Sequence, residues 1–107
     1  MRRKYQKKIK QIVDEFKKIK PKKVILFGSV VSGEMDKNSD IDICVIKKNS
    51  DRLKLKRHLR EIIWKTKIGF QPEIELHVYS PDVYLNWLKR KDPFISEIEK
   101  GEVVYER

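Results

Sequence analysis

At 107 residues the chain has the length of one ordinary domain, enough for a single core of several helices on one sheet and too short for two cores. Hydrophobic residues make up 39% and arrive in short periodic runs, which excludes disorder by composition and leaves no apolar stretch long enough to cross a bilayer. The formal charge of +10 comes mostly from lysines spread along the chain among Glu and Ile, a pattern also expected of adaptation to high temperature, so nucleic acid is not the expected main substrate.

Met1-Arg2-Arg3-Lys4 is basic, but an amphipathic Lys-rich segment follows it instead of the apolar core and cleavage site of a secretory signal, so a cytoplasmic location is expected. Tyr5, Ile9, Ile12, Val13, Phe16 and Ile19 recur at spacings of three and four and predict an amphipathic helix from Tyr5 to Ile19. Pro21 stops it. Lys23 to Phe27 is a short apolar run of the kind found in a buried strand, and Gly28-Ser29 ends it. Val30 to Ser39 reads as one helical turn and then a loop.

Asp40 to Ile46 begins by alternating Asp with Ile, which at a period of two puts Ile41, Ile43 and Val45 on one face of a strand and Asp40 and Asp42 on the other. Cys44 is the only cysteine, so no internal disulfide can form, and its apolar run makes it a buried bystander. Ser50 or Asp51 caps a predicted helix to about Lys65 with Leu55, Leu59, Ile62 and Ile63 as its stripe, and Gly69 closes the segment. After Pro72, Glu73 to Tyr79 alternates again, with Ile74, Leu76 and Val78 facing one way and Glu73, Glu75, His77 and Tyr79 the other.

Ser80-Pro81 opens a helix carrying Val83, Tyr84, Trp87 and Leu88, and Pro93 interrupts it. A last helical turn around Phe94, Ile95 and Ile98 ends at Gly101, and Glu102 to Tyr105 forms a final strand. There is no repeat or linker, so residues 1–107 are read as one domain.

Three features meet: a Gly-Ser pair leaving one strand, an Asp-x-Asp pair opening the next, and an acid on a third strand. Strands disfavour aspartate, and two on one face about 7 Å apart repel, which a divalent cation offsets. Mg²⁺ takes hard oxygens, commonly one or two carboxylates plus substrate phosphates, and two ions about 4 Å apart serve both the attacking and the leaving oxygen. Glycine at position 28 lets backbone approach a phosphate closely, and the helical turn after it aims N–H groups there. Ser29 adds a hydroxyl or acts only as a helix cap.

Phe27-Gly28-Ser29, Gly33 and Ser39-Asp40-Ile41-Asp42 closely resemble the signature of minimal nucleotidyltransferases in the DNA polymerase beta superfamily. The flanking helix, the later acid-bearing strand and the segment from Phe94 to Tyr105 extend the likeness over nearly the whole chain. The resemblance implies an α/β (α+β) fold with a small mixed sheet, helices on one face, and the metal site on the open face. It implies that Asp40 and Asp42 bind Mg²⁺, that Gly28, Ser29 and Ser39 hold ATP, and that a third acid completes the site. Strand parity makes that acid Glu75, with Glu73 in reserve, where the family usually has Asp. Val30, Val31 and Ser32 stand where the family often has Arg, so phosphate binding relies more on lysines elsewhere. His77 shares the face of Glu75, which leaves two readings, a contact with nucleotide or metal and the commoner one of a surface strand residue; Trp64 and Trp87 are likewise read as packing residues of amphipathic helices ahead of the alternative of stacking on a base.

The activity so implied is transfer of a nucleoside monophosphate, AMP from ATP, to a hydroxyl on a protein partner. Relatives commonly pair with a HEPN-domain ribonuclease as the antitoxin of a type VII-like toxin–antitoxin system. Two alternatives remain open at this point: a binding module that neutralises its partner by contact, and, ranked last, a basic RNA-binding domain.

Overall fold

The computed structural model describes residues 2–36, 38–66 and 73–107. In α1 (Arg2–Lys17) the three-and-four spacing puts Ile9, Ile12, Val13 and Phe16 on one buried side. The helix stops two residues short of Ile19, where the amides of Lys18 and Ile19 bond three residues back and Lys20 turns into the left-handed region at φ 55° ahead of Pro21. There follow β1 (Lys23–Phe27), α2 (Ser29–Ser32), β2 (Ile41–Ile46), α3 (Arg52–Lys65), β3 (Ile74–Tyr79), α4 (Pro81–Lys89), α5 (Pro93–Glu99) and β4 (Glu102–Glu106). Gly69 and Pro72, expected to close α3 and open β3, lie outside the described residues.

The starts of α3, α4 and α5 are set by side-chain caps. Asp51 accepts from the Lys54 amide at 3.1 Å, Ser80 from Val83 at 3.4 Å and Asp92 from Ile95 at 3.0 Å, while proline fills the first position of α4 and of α5.

Four strands form one mixed sheet in the order β3-β2-β1-β4. β1 runs antiparallel to both neighbours, and β2 and β3 are parallel, as a strand–helix–strand crossover through α3 requires. Alternation sorts the side chains. Val24, Leu26, Ile41, Ile43, Val45, Ile74, Leu76 and Val78 face α1 and α3 and make the main core with Ile12, Phe16 and Leu59.

The mixed α/β sheet is as expected, but its second face is only partly open. Ile25, Phe27, Cys44 and Ile46 on that face join Tyr84, Ile95 and Ile98 of α4 and α5 in a second buried cluster. The helices are drawn there because the acid-bearing face turns apolar after Asp42, and burying such side chains contributes about 1.5–3 kcal/mol apiece. What stays open is the end of the sheet where Asp42 and Glu75 stand. The two tryptophans are not core residues: Trp64 is 69% and Trp87 42% exposed, the latter with the Arg90 guanidinium 5.7 Å from its ring centre.

Candidate functional site

The site is assembled by strand register. Phe27 at the end of β1 is opposite Asp42 of β2, and Asp42 is opposite Glu75 of β3, so one row across the sheet reads Phe27, Asp42, Glu75. The next residues on the same face, Cys44 and His77, are likewise paired, which sets His77 diagonally from Asp42. Its Nε2 is 3.3 Å from Asp42 Oδ1. One ligand atom from each of Asp42, Glu75 and His77 lies within 4.8 Å of the others, a group able to hold a metal ion. Asp42 and His77 are partly buried and Glu75 is exposed, so the group opens to solvent from its Glu75 side.

Two aromatic rings flank His77, Phe27 buried and Phe94 exposed. The His77 ring is 5.1 Å from that of Phe27 and 5.1 Å from that of Phe94, and Phe27 and Phe94 meet edge to face at 5.8 Å. Rotation of the imidazole is thereby restricted, and its Nε2 edge is turned to the carboxylate.

Gly28 sits directly against Asp42. It has φ 77° and ψ −149°, a conformation open almost only to glycine, and a Cβ built on it would lie 2.7 Å from Asp42 Oδ2. The Gly28 carbonyl accepts from the amides of Val31 and Ser32, which starts α2 at Ser29. On the other side of this turn a cleft of about 390 Å³ is lined by Gly28, Ser29, Ser32, Glu34, Glu97 and Lys100, among others. Lys100 there is paired with Glu97 at 3.0 Å. Gly101 also lines the cleft, and no larger residue fits there because a Cβ would fall on the Leu26 carbonyl oxygen.

The residues named from sequence are thus not all together. Asp42 and Glu75 meet, and Gly28 touches Asp42; Ser29 borders the neighbouring cleft. Asp40 does not join the metal-capable group. It precedes β2, whose pairing begins at Ile41 with that residue's amide donating to the Glu73 carbonyl, so strand alternation does not govern where Asp40 points. Ser39 is occupied locally: its hydroxyl accepts from the Asp36 amide at 2.9 Å and donates to Asp36 Oδ1 at 3.3 Å, closing the turn that leads into β2. Glu73 likewise stands before β3.

Two residues of this cluster are outside the sequence expectation. His77 has the same strand parity as Glu75, a signal that placed it on the right face without indicating contact with Asp42. Phe94 carries no such signal, since only the packing of α5 brings its ring to His77.

A small mixed sheet with a carboxylate pair at its open end, abutting a glycine-serine turn that starts a short helix, defines a class of phosphate-handling α/β domain. The profile of the family described as nucleotidyltransferase domain matches residues 7–105, and the chain belongs to that family. It is also 33% identical over 96 residues to a protein of Methanocaldococcus jannaschii named "Putative protein adenylyltransferase", covering 83% of this chain and 90% of that relative.

Proposed function

We propose that the chain transfers AMP from ATP to a hydroxyl group of a protein partner, with a divalent cation held by Asp42 and Glu75. The donor set fits such an ion: two carboxylates and an imidazole converge within 4.8 Å, and the missing Cβ of Gly28 leaves free the space beside Asp42 Oδ2. When bound, the cation supplies charge neutralisation for the triphosphate and lowers the pKa of a coordinated hydroxyl.

The observation that carries the reading is the contact of the Gly28 turn with Asp42. Phosphate-approaching backbone and cation-binding carboxylate are adjacent, so a triphosphate reaching one reaches the other. Ser29 and the first amides of α2 bind phosphate oxygens, and Asp40, two residues before Asp42 in the chain, adds negative charge that draws in the cation. The acceptor oxygen bonds to the α-phosphorus, the bond from that phosphorus to the bridging oxygen breaks, pyrophosphate leaves, and the acceptor's proton passes to solvent. Positioning does most of the work, because both reactants are held instead of meeting by diffusion.

A protein acceptor is supported by the name of the Methanocaldococcus jannaschii relative. That the acceptor is a HEPN-type ribonuclease, with this chain as its antitoxin, rests on the family resemblance. The test is incubation with α-labelled ATP, divalent cation and the product of the adjacent gene. Label should pass to that protein and be abolished by Asp42→Asn. Neutralisation of the partner without any label, in wild type and Asp42→Asn alike, would replace this reading with the contact-only one.

A further inference from the structure

We propose that His77 is a direct ligand of the bound cation, and that its nitrogen makes the site select first-row transition-metal ions over Mg²⁺, with Mn²⁺ as their paramagnetic probe. This rests on the reading that Asp42 and Glu75 hold a divalent cation, and adds which cation they hold and why.

Geometry comes first. Two adjacent ligands on an octahedral ion with bonds of about 2.1 Å are about 3 Å apart. His77 Nε2 and Asp42 Oδ1 are 3.3 Å apart, and the Glu75 oxygen completes a set whose members are all within 4.8 Å. The His77–Asp42 pair therefore suits neighbouring corners of one coordination sphere, and the exposed Glu75 carboxylate is near enough to close on the same ion by a side-chain adjustment, leaving the other positions to phosphate and water. Register makes this arrangement robust. Glu75 and His77 are two residues apart on one strand and share its face, and Asp42 is paired directly with Glu75.

The ring is also held for the purpose. His77 is 18% exposed, and Phe27 and Phe94 contact it at 5.1 Å each with tilts of 60° and 52°. An imidazole so clamped loses little rotational freedom when its nitrogen binds an ion.

Ligand chemistry then decides the metal. Mg²⁺ takes oxygen donors and gains little from imidazole, whereas first-row transition ions bind imidazole well alongside carboxylate. Replacing one oxygen of an all-carboxylate site by His77 shifts the preference toward those ions.

The test uses the full chain as wild type, His77→Gln and Asp42→Asn. Mn²⁺ binding is followed by electron paramagnetic resonance with Mg²⁺ as competitor, and spin-echo modulation from ¹⁴N reports a coordinated imidazole. In wild type, bound Mn²⁺ should show imidazole modulation and should resist displacement by Mg²⁺ more than Mn²⁺ bound to the His77→Gln variant does. His77→Gln should lose the modulation and weaken Mn²⁺ by about 10-fold or more while leaving Mg²⁺ within about twofold. Should His77→Gln fail to fold, the wild-type spectrum alone decides, because the modulation is either present or absent. Mn²⁺ bound by wild type, lost in Asp42→Asn, yet showing no imidazole nitrogen, would overturn the proposal and leave the transferase reading standing. Equal, negligible binding of both ions by wild type and Asp42→Asn, with or without ATP, would remove both.

Discussion

Replacing Gly28 by alanine should injure stability and site together, and the two parts can be separated. Backbone at φ 77° and ψ −149° lies in a region that costs a residue with a side chain about 1–3 kcal/mol. The new methyl would also stand 2.7 Å from Asp42 Oδ2 and 3.5 Å from Asp42 Cγ, so the carboxylate must move off Gly28 and its present position against His77 is disturbed. We expect a total loss of about 2–4 kcal/mol, and a melting temperature lower by about 8–30 °C, given about 4–8 °C per kcal/mol in a domain of this size. Gly33→Ala is the control: φ is 85° there, but no atom lies within 4 Å of the built Cβ, so only a backbone cost of about 1–2 kcal/mol applies.

Urea denaturation of Gly28→Ala in wild-type and Asp42→Ala backgrounds measures the steric part. With the carboxylate gone, the nearest remaining Asp42 atom is Cβ at an ordinary 3.7 Å, so the cost should fall to that of the backbone alone. An equal cost in both backgrounds would refute the contact between Gly28 and Asp42 as its source.

Two further outcomes follow from packing and titration. Gly101→Ala should destabilise by about 1–3 kcal/mol in thermal or urea unfolding, because the added carbon falls on the Leu26 carbonyl and 2.9 Å from both Ile98 O and Ile25 Cγ2, where backbone cannot yield cheaply. Burial, aided by the negative charge of Glu99, pushes the Cys44 thiol from its ordinary 9.0 up to about 12. The folded chain keeps the proton while the unfolded chain releases it, so this stability is fully present below pH 9 and is lost as pH rises toward 12, at about 1.4 kcal/mol per unit. Urea midpoints at pH 8, 9 and 10 should show the decline beginning, and Cys44→Ala should flatten it; an unchanged slope would count against the assignment. Tyr84, raised by burial and by its 2.9 Å bond to Glu99, adds to the decline at higher pH.

Nearly every element could be read from the chain, because the two periodicities are clean and most ends are marked by Pro, Gly or a capping Asp or Ser. Asp42 and Glu75 share a face by strand parity alone. Their direct pairing needs the register of parallel β2 and β3, which depends on how Leu59 of α3 and the buried strand residues pack, and no local pattern encodes that. Asp40 shows the limit of parity: alternation holds only where pairing holds, and pairing begins one residue later. The partial covering of the second face did have a sign in the sequence, since Cys44, Ile46 and Tyr79 follow the acids on that face and are too apolar to remain in water.

The order of the strands also bears on how the molecule is made. β1 lies between β2 and β4, yet β4 comes after every other element of the sheet. During synthesis β1 can zip onto β2 early, while its opposite rim keeps unsatisfied backbone groups until the ribosome has released the final strand. The glycine turn hangs from that half-finished strand. The backbone that carries Gly28 and the row of Phe27, Asp42 and Glu75 is therefore fully supported only once β4 has paired with β1.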